Sequence, residues 1–472
     1  FVNGGTSFGI AQGPGMGRAC AEWILDGAPW IDGWVIDPRR FGTYASPQWV
    51  SARVKDVYDN EYALTAPHEH GMRTVARGVR TTPATARHIA AKAMMTTGFG
   101  WERPAWFGTN GATSEHHGFR RMSDPHAFQA IDAECKAVRE GVGLLDLSAF
   151  TKFDVMGKGA EAAIDRLGAN RAPRRDGRVV LTHALTDKGG VRSEFTITRL
   201  SAEHFYCVSA AAAELHDLDL LQEAVGEGGD AVIEPLTNAY GCLVLAGPRA
   251  RQHLAPMTDA DLSMAAFPWL TAQNIVVAGV PVRALRVSFV GELGWELHHR
   301  IEHQATLYDA LMDASPGNGP RPFGLRAMES LRLEKGYRAW RTDLTTERTV
   351  LEAGMDRFVK LDPGRTFRGR GAIEYQVENS LPSRLATLRV DTADADAMGG
   401  EPVWREGANA PIGFVTSGGY GHATSTSLAL AYINADDAVE GGRVAVTLLG
   451  ERRPAQITFD AVYDPSNERM RA

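Results

Sequence analysis

Between residues 125 and 254 the spacing of apolar residues changes period again and again, out of step with any regular strand–helix–strand repeat. Helical spacing over 125–140 ends at Gly141. Gly143-Leu144-Leu145-Asp146-Leu147-Ser148 then leads into a two-residue alternation over 151–156. Helical spacing returns over 159–167. Strand-like runs follow over 179–185, 190–200 and 205–209, then a helix over 212–223, a strand over 239–246 and a short helix over 248–254. A doubly wound parallel sheet needs a crossover helix between successive strands, and here strands follow one another directly. The pattern therefore predicts an α+β body. A further amphipathic helix, rich in Arg and Glu, is expected over 324–334. From 385 onward the pattern changes: short apolar runs at 385–390, 429–433 and 443–449 are separated by Gly, Asp and Asn turns. Such a segment predicts a small all-β barrel or sandwich. No internal repeat or low-complexity tract interrupts the chain.

Ahead of this body lie two further segments. Residues 28–44 form a Pro/Gly/Trp-rich crossing, with Pro29-Trp30, Gly33-Trp34 and Asp37-Pro38-Arg39-Arg40-Phe41-Gly42, and read as a domain boundary. Before it, Gly9-Ile10-Ala11-Gln12-Gly13-Pro14-Gly15-Met16-Gly17 reads as a glycine loop feeding a helix from about 16 to 25. A loop of this kind at a helix start offers free N–H groups and the positive dipole end to an anion or a polarised carbonyl. The spacing is not the dinucleotide fingerprint, and glycines kept for close helix packing would read the same way. Residues 45–117 contain an amphipathic helix near 47–58 and the basic residues Arg73, Arg77, Arg80 and Arg87. His68-x-His70, His88 and His116-His117 have no Asp, Glu or Cys at ligand spacing, so no metal is expected. The expected units are 1–44, 45–117, 118–384 and 385–472. The chain begins at Phe1, and its first residues have neither the basic region nor the apolar core of a signal peptide. A processed product, a split subunit or part of a longer protein is expected.

Composition narrows the function classes. The formal net charge of −7 disfavours a phosphate backbone as ligand, and no apolar run approaches the length of a membrane span. Cys20, Cys135, Cys207 and Cys242 are scattered with no CxxC pair, which predicts neither zinc nor a disulfide framework and suits a reducing, cytoplasmic setting.

Residues 286–297, Arg-Val-Ser-Phe-Val-Gly-Glu-Leu-Gly-Trp-Glu-Leu, read as a strand, a tight glycine turn and a second strand. Glu292 and Glu296 sit beside aromatic residues. A carboxylate next to an aromatic wall can hold a flat nitrogen heterocycle by paired hydrogen bonds. A surface hairpin with two solvated glutamates is the alternative.

Several ordered blocks carry a resemblance that covers nearly the whole chain. They are Trp101-Glu102-Arg103-Pro104 with Trp106-Phe107, the 143–148 block, Glu214-Leu215-His216-Asp217-Leu218, Gly247-Pro248-Arg249-Ala250, the 291–297 block, residues 331–340 and residues 413–419. In these the chain resembles the C-terminal portion of the dimethylglycine and sarcosine dehydrogenase family. From about residue 120 it also looks like the aminomethyltransferase (T-protein) of the glycine cleavage system. The resemblance implies a T-protein-like folate-binding domain, a small C-terminal β-barrel and, over 1–44, the tail of an FAD domain of the D-amino-acid-oxidase type. It implies that Gly9, Ile10, Ala11, Gln12, Gly15 and Gly17 approach a flavin whose remaining contacts lie in another domain or subunit. It also implies oxidative N-demethylation of a small methylated amino acid, with tetrahydrofolate capturing the one-carbon unit. Electrons would pass to oxygen or to an electron-transfer flavoprotein.

Residue by residue, the resemblance makes Glu296 the pterin anchor and Glu194 the catalytic acid, where many relatives have Asp. It places Phe289 in the folate wall, where many relatives have Tyr, and leaves Glu292 a turn-supporting role. Tyr337 and Trp340 are expected to pack in the core, and Arg332 and Glu334 to form an ion pair or a solvated face. The alternatives are a formaldehyde-releasing demethylase with a vestigial folate fold and a non-catalytic scaffold subunit.

Overall fold

The computed structural model describes the chain except residues 1–8, 28, 30, 32, 61, 64–68, 70–71, 109–119, 227 and 314–318. His68, His70, His116 and His117 therefore lie outside the described residues. In chain order the first elements are α1 (Gly9–Asp26), α2 (Pro47–Asp59), α3 (Thr85–Ala90), β1 (Ala93–Gly98), β2 (Trp101–Phe107) and α4 (Pro125–Glu140). Next come β3 (Gly143–Asp146), β4 (Thr151–Met156), α5 (Ala160–Leu167), β5 (Val179–Leu185), β6 (Val191–Ser201), β7 (His204–Ser209) and α6 (Glu214–Val225). They continue with β8 (Val232–Pro235), β9 (Tyr240–Ala246), α7 (Ala250–Leu254), β10 (Ala272–Val277), β11 (Val280–Leu285), β12 (Gly294–Arg300) and α8 (Gln304–Asp313). The chain closes with β13 (Arg321–Pro322), α9 (Leu325–Glu334), α10 (Arg370–Glu378), β14 (Ser383–Val390), β15 (Pro402–Trp404), β16 (Gly413–Gly421), β17 (Thr426–Asn434), β18 (Arg443–Leu448), β19 (Glu451–Thr458) and α11 (Glu468–Arg471).

Two sheets make the α+β body. One is six-stranded, ordered β10-β11-β12-β9-β3-β13, and the other five-stranded, β5-β6-β7-β4-β8. On β12, Trp295 and Leu297 point into a core with α7 and α8. Val244 and Cys242 on the neighbouring β9 point the other way, into a core closed by α4 and α9. The five-stranded sheet buries Phe153, Val155, Phe195, Ile197, Phe205 and Cys207 against α5 and α6. Because strand side chains alternate, the opposite face of that sheet carries Lys152, Asp154, Glu194 and Tyr206. The C-terminal segment is a closed barrel, β14-β17-β16-β15-β18-β19, and not a sandwich. Among the described residues no helix is long and apolar enough to cross a membrane.

The α1 segment departs from its sequence pattern. No glycine loop precedes a helix at Met16: Gly9, Ile10, Ala11 and Gln12 are the first turn of a continuous helix, with Gly15, Gly17 and Pro14 inside it. Only the first turn of a helix has unpaired N–H groups, so Gly15 and Gly17 cannot present theirs to a ligand. Among the described residues, a Cβ on Gly9, Gly13, Gly15 or Gly17 would meet nothing within 4 Å. The expected hairpin is different too. Its first strand ends at Leu285, residues 286–293 form an irregular connection, and β12 starts at Gly294. At the break, the Arg286 guanidinium is buried and donates to the Phe267 carbonyl at 2.6 Å.

Candidate functional site

The inner faces of the two sheets meet at a polar seam. Strand β12 pairs with β9 so that Glu296 lies opposite Val244 and His298 opposite Cys242. A two-residue strand period puts Glu296 and His298 on the same face. His298 Nε2 lies 3.1 Å from Glu296 Oε2, and its Nδ1 lies 2.9 Å from the Tyr206 hydroxyl on β7 of the other sheet. A carboxylate only accepts, so Nε2–H donates to Glu296 and Nδ1 accepts from the Tyr206 O–H. Burial holds the His298 pKa below its usual value against the pull of Glu296, and burial pushes the Tyr206 hydroxyl well up. Both shifts fit a neutral imidazole between a phenol and a carboxylate. Arg283, whose guanidinium lies 4.3 Å from the Tyr206 ring centre and 3.4 Å from Asp154, closes the seam on one side. Lys152, fully buried, has its ammonium between the Ser148 and Phe150 carbonyls at 2.8 and 2.7 Å, and burial lowers its pKa to about 8.

Glu296 keeps 16% of its side chain exposed, and among the described residues only His298 bonds its carboxylate. Phe289 packs against the same core that contains Val244, and its ring stacks on Tyr337 with centroids 5.9 Å apart at 24°. Tyr337 is thus the aromatic partner of Phe289, and its hydroxyl donates to Met470 Sδ at 3.1 Å. Trp340 is a structural partner: its Nε1 donates to the Arg192 carbonyl at 2.9 Å, two residues from Glu194. Glu194 on β6 faces His183 on β5 as a direct cross-strand pair, Oε2 to Nε2 2.9 Å, with 22% of the Glu194 side chain exposed.

Glu292 is neither solvated nor a simple turn support. It is fully buried, accepts from the Tyr463 hydroxyl at 2.7 Å and pairs with Arg139 at 3.1 Å. Arg332 and Glu334 are both buried and pair elsewhere, Arg332 with Glu329 and Asp343, Glu334 with Arg139. Sequence reasoning missed Tyr206, His298 and His183. His298 was within reach, standing two residues from Glu296 on one strand. His183 follows from counting back through the Gly189–Gly190 turn. Tyr206 is brought in by a contact between sheets, for which a sequence carries no local signal.

Histidine spacing alone gave no reason to expect a metal, yet Cys242, Glu296 and His298 offer ligand atoms within 4.8 Å of one another. The same atoms already take part in other interactions: Nε2 donates to Glu296, and burial together with the Glu296 charge holds the Cys242 thiol well above its ordinary pKa against the pull of Lys152. The arrangement is that of a hydrogen-bonded carboxylate with an uncommitted oxygen, suited to a flat N–H-bearing edge.

Comparison with known proteins gives the fold a lineage. The GCVT N-terminal domain description matches residues 84–363, and the glycine cleavage T-protein C-terminal barrel domain matches 384–464. The FAD dependent oxidoreductase central domain matches 26–82. Mouse mitochondrial dimethylglycine dehydrogenase is 35% identical over all of this chain and 54% of its own length. Human mitochondrial sarcosine dehydrogenase is 30% identical over 99% of this chain and 55% of its own length. The chain thus spans about half the length of these curated relatives. The crystal structure of the glycine cleavage system aminomethyltransferase T from Bartonella henselae superposes with a TM-score of 0.68 at 22% identity, covering 80% of this chain and 97% of that one. At that identity the match speaks for the fold alone.

Proposed function

This chain belongs to the glycine cleavage T-protein family, and from that premise we propose that it is the folate-binding half of an FAD-dependent N-demethylase of a small N-methylated amino acid. The similarity to dimethylglycine and sarcosine dehydrogenases over the whole of this chain supports this reading, as does the oxidoreductase match over 26–82. The observation that carries it is Glu296, half-sheltered, fixed by the Tyr206–His298 relay and left with one oxygen uncommitted. Tetrahydrofolate, when bound, supplies the nitrogens that take up a one-carbon unit to give 5,10-methylene-tetrahydrofolate.

In this reading Glu296 accepts hydrogen bonds from the N–H edge of the pterin, and His298 keeps its carboxylate from rotating. Phe289 and Tyr337 form the apolar wall. Glu194 takes up the proton released at the reacting nitrogen, through the oxygen not bonded to His183. FAD would be held mostly by a flavin domain or subunit outside this chain and would supply the oxidising chemistry for the methylated amine. The exposed first turn of α1, Gly9 to Gln12, could offer it N–H groups.

Calorimetry of tetrahydrofolate against the protein and its Glu296→Ala variant tests the reading. Binding by the unsubstituted protein is expected, weakened about 10- to 100-fold in the variant, the scale of a lost hydrogen-bond set to a charged group. No binding in either protein would favour a scaffold role. Binding without any change in released formaldehyde during turnover would favour the formaldehyde-releasing alternative.

A further inference from the structure

The seam contains a second carboxylate–histidine pair whose function is not absorbed by folate anchoring. His183 is fully buried, whereas Glu194 reaches toward the exposed side of the seam. They are direct cross-strand partners on β5 and β6, and Nε2 lies 2.9 Å from Oε2. A carboxylate only accepts, so Nε2 is the donating nitrogen. The other nitrogen, Nδ1, is buried with no hydrogen-bond partner among the described residues. The ring itself is held edge-on to Phe358, centroids 5.9 Å apart. His183 thus has one polar contact, and that contact is Glu194.

Glu194 has three side-chain torsions and no ion-pair partner besides His183 among the described residues. Arg338 acts on it only through space, since that guanidinium donates to the Ala353 and Gly336 carbonyls. Without His183 the carboxylate would sample several rotamers at the mouth of the seam. With it, Oε2 is fixed against the sheet and Oε1 is turned away from the imidazole.

We propose that His183 is a positioning residue for Glu194: it fixes one carboxylate oxygen so that the other meets the reacting nitrogen of the folate substrate. This rests on the folate reading above. His183 touches neither substrate nor cofactor and acts through Glu194 alone. Its removal therefore lowers the rate of one-carbon transfer while leaving folate affinity, which belongs to Glu296, nearly intact.

The test uses the full-length protein with His183→Phe, His183→Gln, Glu194→Gln and the double variant His183→Phe/Glu194→Gln. Tetrahydrofolate affinity, the rate of 5,10-methylene-tetrahydrofolate formation and the thermal midpoint are measured for each. His183→Phe is expected to lower the rate about 10- to 100-fold, as misplacement of a reacting group does, with folate affinity within about threefold. Gln reaches where Nε2 stands and can donate, so His183→Gln restores much of the rate. In the Glu194→Gln background, His183→Phe adds no further loss. Should the ring substitution lower the thermal midpoint, His183→Asn, polar but too short to reach Glu194, gives the same comparison. Additive losses in the double variant, or an unchanged rate in His183→Phe and His183→Asn, overturn the proposal and leave the folate reading standing. Absence of folate binding in the unsubstituted protein overturns both.

Discussion

At the scale of single residues, the candidate site depends on a contact between the two sheets. Tyr206 shows this best. Its hydroxyl is the only bond from the five-stranded sheet to His298 among the described residues, and both groups are buried. Tyr206→Phe keeps the ring and leaves His298 Nδ1 without a donor in a buried setting. The expected cost is about 1–3 kcal/mol, read from the urea midpoint. Folate affinity should fall with it by a few-fold, because Glu296 loses its fixed neighbour. A variant with unchanged stability and unchanged affinity would show that the relay does not orient Glu296. Glu296 could be singled out as a candidate because glycines, aromatics and a carboxylate stand there in a resembling order. The buried setting of Glu292 was not legible, since nothing local distinguishes a glutamate bound for solvent from one bound for a buried arginine 153 positions away.

At the scale of elements, periodicity located most strands and helices of the α+β body within a few residues, because one face of each is buried and the other is not. It failed where that contrast is absent. Helix α1 buries only Ala19 among its described residues, so its glycines were read as a loop while the helix runs through them. The connection 286–293 differs in another way: it alternates like a strand but lies outside the sheet, with Arg286 and Glu292 turned into buried polar contacts. Gly291 is the residue that lets this connection turn. Its φ is +83°, and a Cβ there would lie 2.5 Å from the Lys335 side chain. Lys335 cannot move aside freely, since its ammonium is bonded to the Asp464 carbonyl at 2.6 Å. Gly291→Ala is therefore expected to destabilise by about 1–3 kcal/mol, combining left-handed strain with displacement of Lys335. Denaturation of Gly291→Ala beside Gly279→Ala separates the two contributions, because Gly279 has φ +80° and open space around its Cβ position. Equal losses in the two variants would mean that the Lys335 contact contributes nothing.

At the scale of the whole molecule, two buried charge clusters join segments that the sequence pattern presents as separate units. Arg139 binds Glu292 and Glu334 and lies over the Tyr463 ring at 3.8 Å, which ties α4 and α9 to the chain beyond the barrel. Asp146, at the end of β3, does the same on the other side. Its Oδ2 accepts from Thr82 at 2.9 Å and from Gln304 at 2.9 Å and lies 3.1 Å from His88 Nε2, while Oδ1 accepts from the Ser148 N–H at 2.9 Å. Residues 82–90 are thereby fastened to β3 and α8, and β2 packs on α4 and α9. No sequence signal announces such a fastening, since each partner is an ordinary polar residue far away in the chain. Burial acts to raise the Asp146 carboxyl, but the hydrogen bonds and charge of His88, with those of Ser148, outweigh it and hold the pKa at about 2, below the usual 3.8. A carboxyl depressed in the folded state stabilises the fold above its unfolded pKa and loses that contribution as pH falls through the folded one. The window here is about pH 4 to 2, and the contribution is about 2 kcal/mol. Asp146→Asn lacks the titrating group and should be less stable than the unsubstituted protein at pH 7. As pH falls from 5 to 2 that gap should narrow by about 2 kcal/mol, measured as the difference in unfolding free energy at each pH. Other carboxylates titrate in both proteins and cancel in the difference. A gap that stays constant from pH 5 to pH 2 would show that Asp146 fastens these segments by hydrogen-bond geometry alone, with no contribution from its charge.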